Sequence, residues 1–563
     1  MLSQIKLKDS NIEDFMAQHL TIVMAQLNFL VGDIEGNTDL VIENAERAID
    51  ENSADLIVFP ELTLTGYPPE DLLLRPSLQL RIDKAIAKIL DASLDIHLVV
   101  GYPLLKNGVL YNALSVFKGN ESLATYFKQC LPNYQVFDER RYFAPGGEVC
   151  LLNILGVSCA FTICEDLWEP EPIQQAKDAG AQFVININAS PFHINKLSER
   201  KTLLKERCLQ GEFPILYVNL IGGQDELVFD GGSMVISADG ECNYLAPNYV
   251  EGMFAVKVNV RNGECEVPKQ EIATELSLEA SVYQSLVLGV KDYVNKNKFK
   301  GVVLGLSGGI DSALTLAVAV DALGSDRVEA VMMPFEYTSE LSLEVAGQQA
   351  EMLGVNYQII EINSIYKSFI SALENEFAGT EVDVSEQNLQ ARARGVLLMA
   401  ISNKKGLLVL TTGNKSEIAV GYSTLYGDMA GGFDVLKDVS KTLVYKLAKY
   451  RNCEYMGERK EIIPEKVIHR PPSAELAPGQ VDQDSLPDYA LLDQILELYI
   501  EKDLSADAII SLGFNEEEVR RVLRLVDLNE YKRRQSPVGV RLTERGFGRD
   551  RRYPITNAWP IGD

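Results

Sequence analysis

Histidine is scarce in this chain. Its four copies among 563 residues, His19, His97, His193 and His469, lie in no segment that reads as a Ser/His or Cys/His catalytic site. Paired cysteines are missing too. The eight cysteines contain no CxxC and no zinc-type spacing, which leaves free thiols in a reducing cytoplasm as the plain reading. Basic charge is in deficit, with 53 Lys and Arg against 80 Asp and Glu. A net charge of −27 excludes a general nucleic-acid binder, whose affinity depends on cations that displace counterions from phosphates. No run of about 18 apolar residues is present to span a bilayer. The first twenty residues, MLSQIKLKDSNIEDFMAQHL, lack the apolar centre of a signal peptide and read as an extension. No internal repeat or low-complexity tract is visible.

What is present is ordinary globular material, 46% hydrophobic and 24% charged, in a chain too long for one core. Short β-rich apolar runs recur at 21–28, 54–62, 96–104, 157–164, 181–190 and 214–223. Helical patterns at 37–52 and 170–180 lie between some of them, so the first half reads as an α/β domain with buried strands. The polar, Gly- and Pro-containing stretch 258–277 marks a boundary, and a helical segment over about 278–296 follows. Next come GVVLGLSGGIDSALTLAVAVDAL (301–323), the strand VEAVMMP, a helix around 339–353 and the strand NYQIIEI. These are successive βα units of a parallel, doubly wound sheet. The region 490–530 reads as helical.

The most specific string is Ser307-Gly308-Gly309-Ile310-Asp311-Ser312, directly after the strand VVLGL, whose last residues Gly305 and Leu306 lead into the loop. Glycines let backbone approach an anion, and the following helix N-terminus offers unpaired N–H groups and a favourable dipole. Asp311 would repel a bare phosphate, so its sensible role is to hold Mg²⁺ against phosphates. The alternative is a strand–helix turn capped by Ser or Asp. The string resembles the signature of the PP-loop ATP-pyrophosphatases, which activate a carbonyl or carboxylate by adenylation. Downstream, Thr411-Thr412-Gly413-Asn414-Lys415-Ser416-Glu417, followed by Gly421-Tyr422 and Tyr426-Gly427-Asp428, is similar to NAD⁺ synthetases. That resemblance implies ATP contacts at the loop, Thr412, Lys437 and Ser473. It implies Mg²⁺ at Asp311 and Glu417, and deamido-NAD contacts at Asn388 (in VSEQNLQARARGVLLMA), Glu417 and Lys532. Between Tyr531 and Arg552 eight basic residues face two acidic ones, an excess that suggests a dinucleotide's phosphates as partner or else a solvated basic turn.

In the first half, three segments supply a constellation without histidine: Glu61 in PELTLTGYPPEDLL, Lys128 in YFKQCLPNYQVF and Cys164 in TICEDLW. Singly, these would be a turn carboxylate, a surface cation and a small buried hydrophobe. In that order they resemble the nitrilase (carbon–nitrogen hydrolase) superfamily over about residues 21–260. The chemistry needs a thiol made nucleophilic, a carboxylate to move protons and a cation for the oxyanion. The resemblance implies Cys164 as nucleophile, Glu61 as base and Lys128 as oxyanion stabiliser. Tyr134, Ser190 and Lys196 would lie around glutamine, with Glu139 as a supporting carboxylate. Gln135 departs from the glycine frequent at that position.

Together the halves resemble the glutamine-dependent NAD⁺ synthetases. The expected architecture is α/β: a nitrilase-like α-β-β-α sandwich, then a doubly wound parallel sheet of the adenine nucleotide alpha hydrolase type. The expected division is an extension over 1–20, a glutaminase domain over 21–265, a linker and connecting helix over 266–295 and a synthetase domain over 296–563. The partners implied are glutamine, ATP and deamido-NAD, with no nucleic acid or membrane, in a cytoplasmic homo-oligomer. The rival readings are another PP-loop amidotransferase or thiolase, such as a GMP synthetase, and a non-catalytic regulatory homologue. A thiolase would show a broad basic surface and cysteine pairs, and a GMP synthetase would carry a Cys/His glutaminase.

Overall fold

In a computed structural model the described residues are 18–562, except 262–263, 458–459, 478 and 485. The first of two α/β units is built on a seven-stranded and a six-stranded sheet packed face to face. Parallel pairs fill the middle of each, such as Leu56–Val58 with Leu94–Lys106, and Val157–Ile163 with Phe183–Asn188. Apolar residues on the inner faces, among them Ile22, Val58, Phe161, Ile185 and Val218, form one core between the sheets. The outer face of the first sheet is covered by the helices Ile34–Asn52 and Leu78–Ala92. That of the second is covered by Pro170–Asp178 and Lys196–Gly211. Because both faces of the central strands are buried, these strands read as continuous apolar runs rather than alternating ones. This is the expected α-β-β-α sandwich.

Two features differ from the sequence expectation. The antiparallel strands Val109–Gly119 and Glu121–Phe127 extend the first sheet at its edge, where partial exposure weakens the apolar signal. The polar stretch read as a boundary begins inside the strand Gly252–Arg261. Residues Gly252–Val260 of that strand pair antiparallel with Gln18–Gln26, so its alternating polar residues face outward.

The second unit holds a five-stranded, all-parallel sheet. Val302–Gly305 lies at its centre, with Val328–Met332 on one side and Leu408–Thr411 on the other. The strand order reverses beside Val302–Gly305, and such a switch point opens a crevice at the C-terminal ends of strands. The helix Leu278–Lys296, expected as a connector, belongs to this unit's core. Val282, Tyr283, Leu286, Val290 and Val294 on it are fully buried, and Phe192 and Val228 of the first unit join the same cluster. Helices between Tyr489 and Leu528 form a separate apolar cluster against Ala419 and Val420. Among the described residues no helix is long and apolar enough to cross a membrane.

Candidate active sites

Three strand ends of the sandwich converge on Cys164. Glu61 follows Leu56–Val58, Lys128 follows Glu121–Phe127, and Cys164 follows Val157–Ile163 with φ of 44°. Holding a residue with a Cβ in the left-handed region is costly, and strain of this kind concentrates at functional sites. Lys128 Nζ donates to Glu61 Oε1 at 2.7 Å and to Glu139 at 2.8 and 2.9 Å. Asn112 Nδ2 donates to the same Glu61 oxygen at 2.7 Å, and the Ala189 N–H reaches the other at 3.1 Å. The side chains of Glu61 and Lys128 are 0% exposed, so two carboxylates and one ammonium share a dry volume. Burial works against the ammonium, yet Glu139 and Glu61 outweigh it and hold Lys128 well above its usual range. Burial and the nearby Glu61 raise the Cys164 thiol against the pull of Lys128, so the resting group is a thiol. Burial pushes Glu139 up to about 7 despite Lys128, with Glu61 adding to the rise.

Asp166 is a residue that sequence reasoning missed. One of its oxygens accepts from the N–H groups of Gln129 and Cys130, the other from Ile163 N–H and Tyr126 O–H. It thereby ties the strand end that carries Lys128 to the turn that carries Cys164. The only signal was its place two residues after the cysteine. Of the three residues expected around glutamine, Tyr134 and Lys196 lie near the thiol. Tyr134 donates to Glu165 at 2.9 Å, and Lys196 lies 4.1 Å from the Trp168 ring centre. Both are close enough to Cys164 for their charges to interact. Ser190 Oγ accepts from the buried Arg200 at 3.3 Å. Gln135 has φ of 50°, the conformation a glycine would take there freely, and its Oε1 accepts from Arg541 at 3.4 Å.

The second site opens at the switch point as a cavity of about 270 Å³, walled by the loop around Ser307–Ser312 and by Thr411, Thr412 and Glu417. Gly308 has φ of 77°, and a Cβ there would stand 2.5 Å from the Ser342 carbonyl oxygen, so only glycine fits. The Ser307 N–H donates to Ser312 Oγ at 3.2 Å and the Gly309 N–H to Ser307 Oγ at 3.2 Å, which curls the loop. Asp311 and Glu417 come from different βα turns and meet at one cation. Lys441 Nζ donates to Asp311 Oδ2 at 2.6 Å and to Glu417 Oε1 at 2.9 Å. Asn414 holds the other oxygen of Asp311 at 2.9 Å. Burial and Asp311 push Glu417 up to about 7 against Lys441. Two carboxylates that already embrace an ammonium are a hard-oxygen donor set that suits Mg²⁺ shared with phosphates.

Several of the expected contact residues have other partners here. Of the two lysines in VLKDVSK, Lys441 enters the cavity. Lys437 donates to Pro537 O at 2.5 Å and lines a small interdomain crevice with Glu226, Asp438 and Arg549. Lys441 begins a helix after a turn, and no sequence spacing distinguished it from Lys437. Ser473 does line the cavity, its hydroxyl donating to Gln480 O at 2.5 Å. Asn388 and Lys532 lie outside the wall and hold one loop from two sides. Asn388 Oδ1 accepts from Thr424, and Lys532 Nζ donates to the carbonyls of Gly421 and Ser423 at 2.7 and 2.9 Å. Arg392 and Arg394, on the helix Val384–Lys405, are half-buried and donate to Leu425 O and Met333 O, and Arg394 lines the cavity. The basic tail is answered by the chain's own carboxylates. Arg533 and Arg534 pair with Glu530, Arg541 with Asp550, Arg545 with Asp503, Arg549 with Glu70 and Glu226, and Arg551 with Asp527 and Glu530. Part of it joins the units, where Ile194 N–H donates to Leu542 O and Arg541 N–H to Glu226 O.

Comparison with known proteins agrees with this two-site layout. Residues 21–262 match the carbon–nitrogen hydrolase family and residues 282–536 the NAD synthase family. The chain is 49% identical to a glutamine-dependent NAD(+) synthetase of Acinetobacter baylyi, covering 96% of this chain and 99% of that one. A relative of the same name from Aquifex aeolicus is 44% identical, again over 96% and 99%. The structure of glutamine-dependent NAD+ synthetase from Acinetobacter baumannii in complex with ADP superposes with a TM-score of 0.78 at 47% identity, covering 97% and 100%.

Proposed function

The chain belongs to the glutamine-dependent NAD(+) synthetases, and from that premise we infer how its residues divide the work. The enzyme is a ligase that uses ATP to amidate deamido-NAD(+) to NAD(+), with glutamine as the nitrogen donor. In the first unit, Glu61 takes the thiol proton as Cys164 Sγ attacks the side-chain amide carbon of glutamine. Lys128 stabilises the oxyanion of the tetrahedral intermediate, and its contact with Glu139 fixes it for that role. The proton held by Glu61 leaves with ammonia, and the thioester is then hydrolysed by a water that Glu61 deprotonates, giving glutamate. Tyr134, Ser190 and Lys196 position glutamine.

In the second unit the Ser307–Ser312 loop and the following helix N-terminus receive the phosphates of ATP. Mg²⁺, when bound by Asp311 and Glu417, would neutralise charge on those phosphates. Lys441, already held between these carboxylates, adds a positive charge beside them. The nicotinate carboxylate displaces pyrophosphate from the α-phosphorus, and ammonia then displaces AMP from the acyl carbon. Asn388 and Lys532 contribute by fixing the Gly421–Asp428 loop that faces the dinucleotide, and Ser473 and Thr412 border the nucleotide.

The observation that carries this reading is the meeting of Asp311 and Glu417, from two separate turns, at one cation beside a glycine-rich loop. Pyrophosphate release by the full chain tests it. Release is expected only with ATP, deamido-NAD and a nitrogen source together. Release driven by xanthosine monophosphate or tRNA, with deamido-NAD inert, would overturn it.

A further inference from the structure

The two carboxylate oxygens of Glu61 are not equivalent. Oε1 accepts from Lys128 Nζ and from Asn112 Nδ2, both at 2.7 Å. Oε2 accepts from the Ala189 N–H at 3.1 Å. A carboxylate oxygen offers about two lone-pair directions, so two donors fill Oε1 while Oε2 keeps one direction for a further proton. Of the donors on Oε1, Lys128 also serves the oxyanion, whereas the Asn112 side chain donates to Glu61 alone among the described residues. Asn112 lies on the strand Val109–Gly119, opposite Pro103, and is 1% exposed. Its backbone carbonyl accepts from the Lys128 N–H at 2.9 Å. One residue thus fixes the strand end that bears the cation and, through its side chain, the carboxylate. The amide can face Glu61 in one way only, because turned over it would set its carbonyl oxygen against the carboxylate. As a neutral donor it favours the ionised form of Glu61 without bringing another charge into the dry site.

We propose that Asn112 is a positioning residue of the glutaminase: by occupying Glu61 Oε1 together with Lys128, it leaves Oε2 as the atom that takes and returns the proton. The inference rests on Glu61 being the base. In acylation the Sγ–H bond breaks and an Oε2–H bond forms, while Sγ bonds to the amide carbon and the carbonyl electron pair moves onto oxygen. When the C–N bond breaks, that proton passes from Oε2 to the departing nitrogen and completes ammonia. In deacylation a water gives its proton to Oε2 as its oxygen attacks the thioester, and the proton returns to Sγ when the C–S bond breaks. Oε1 stays occupied throughout.

Glutamine hydrolysis by the full chain, with ATP and deamido-NAD present, tests this. Asn112→Leu keeps the size of the side chain and removes the donor. It is expected to lower kcat about ten- to a hundredfold with the KM for glutamine within about twofold. A kcat within about twofold of wild type overturns the proposal, and so does an effect confined to KM, which would place Asn112 in the glutamine pocket. Asn112→Asp gives a readout that a merely structural role would not move. Its carboxyl can donate to Glu61 only while protonated, so the ratio of variant to wild-type kcat should fall about tenfold or more between about pH 6 and pH 9. The groups whose charges reach Glu61, namely Tyr67, Lys128, Glu139, Cys164 and Glu165, are the same in both proteins and cancel in that ratio. A ratio that is flat or rises with pH overturns the proposal. If Asn112→Leu does not fold, the pH ratio decides. Glu61→Gln, measured alongside, separates the two levels. If it hydrolyses glutamine as fast as wild type, the base is wrongly assigned rather than the part given to Asn112.

Discussion

The two sites set the same charges, two carboxylates around one lysine, in different surroundings. At Cys164 they are sealed inside the protein: Lys128 lies between Glu61 and Glu139, with side chains 0% exposed for Glu61 and 6% for Glu139. At the phosphate loop, Asp311 and Glu417 are 17% and 18% exposed and share one ammonium in a wall where carboxylates outnumber cations. The difference follows from what each site receives. The glutaminase handles an amide that is neutral at the reacting end, so its charges must already be in place and dry, where proton transfer and oxyanion stabilisation are strongest. The synthetase receives polyanions, which its carboxylates would repel unless a divalent cation came with the phosphates.

Cutting the sites apart gives the largest expected effect. Cys164→Ala should lower glutamine-supported NAD(+) synthesis by about 10³-fold or more and leave ammonia-supported synthesis intact, since thioester formation has no substitute. Loss of both activities in a folded variant would mean that the sites are not separable. Asp311→Asn should act on the other side of the comparison. Synthesis with ammonia and with glutamine should fall together, by about 10²- to 10³-fold, through lost electrostatic stabilisation. A change confined to the glutamine-dependent rate would refute the Mg²⁺ assignment.

The enclosed charges of the glutaminase can be perturbed more gently. Glu139 sits at about 7, raised by burial, so it takes up a proton as pH falls through that value and loosens its hold on Lys128. Glutamine hydrolysis should therefore decline on the acid side of about pH 7, as Lys128 loses that anchor. Glu139→Gln removes the titrating group, so the limb near pH 7 should disappear, and it lowers the plateau about ten- to a hundredfold because Lys128 loses its second anchor. Rate–pH profiles of the two proteins decide this, and coincident acid limbs would contradict the coupling.

Lys532→Ala probes the synthetase wall indirectly. It should raise the KM for deamido-NAD about tenfold with little change for ATP, because the carbonyls of Gly421 and Ser423 lose their donor. The effect should persist at high salt, whereas a direct contact with phosphate would fade under screening. The smallest effect is expected at the domain junction. Arg549 is 43% exposed in its pairs with Glu70 and Glu226, so Arg549→Ala should cost no more than about 1 kcal/mol in a denaturant titration. A larger loss would make the tail a structural clamp.

The sequence by itself determined the elements and the chemistry they could carry. Continuous apolar runs marked the strands buried on both faces, the Ser307–Ser312 string pointed to a phosphate loop, and the strings around Glu61, Lys128 and Cys164 resembled a nitrilase-type site without histidine. Each signal is local, because a buried parallel strand and a glycine-rich turn write their requirements into neighbouring residues. Pairing across the chain was decided only by the tertiary structure. It chose Lys441 over Lys437, set Asp166 to bind two strand ends and made Leu278–Lys296 a core helix rather than a connector. It also turned the basic tail inward onto Glu530, Asp550 and Glu226. A cation's partner is whichever carboxylate the fold brings within hydrogen-bonding distance, often more than a hundred residues away, and Coulomb attraction leaves no periodicity in a sequence from which that distance could be read.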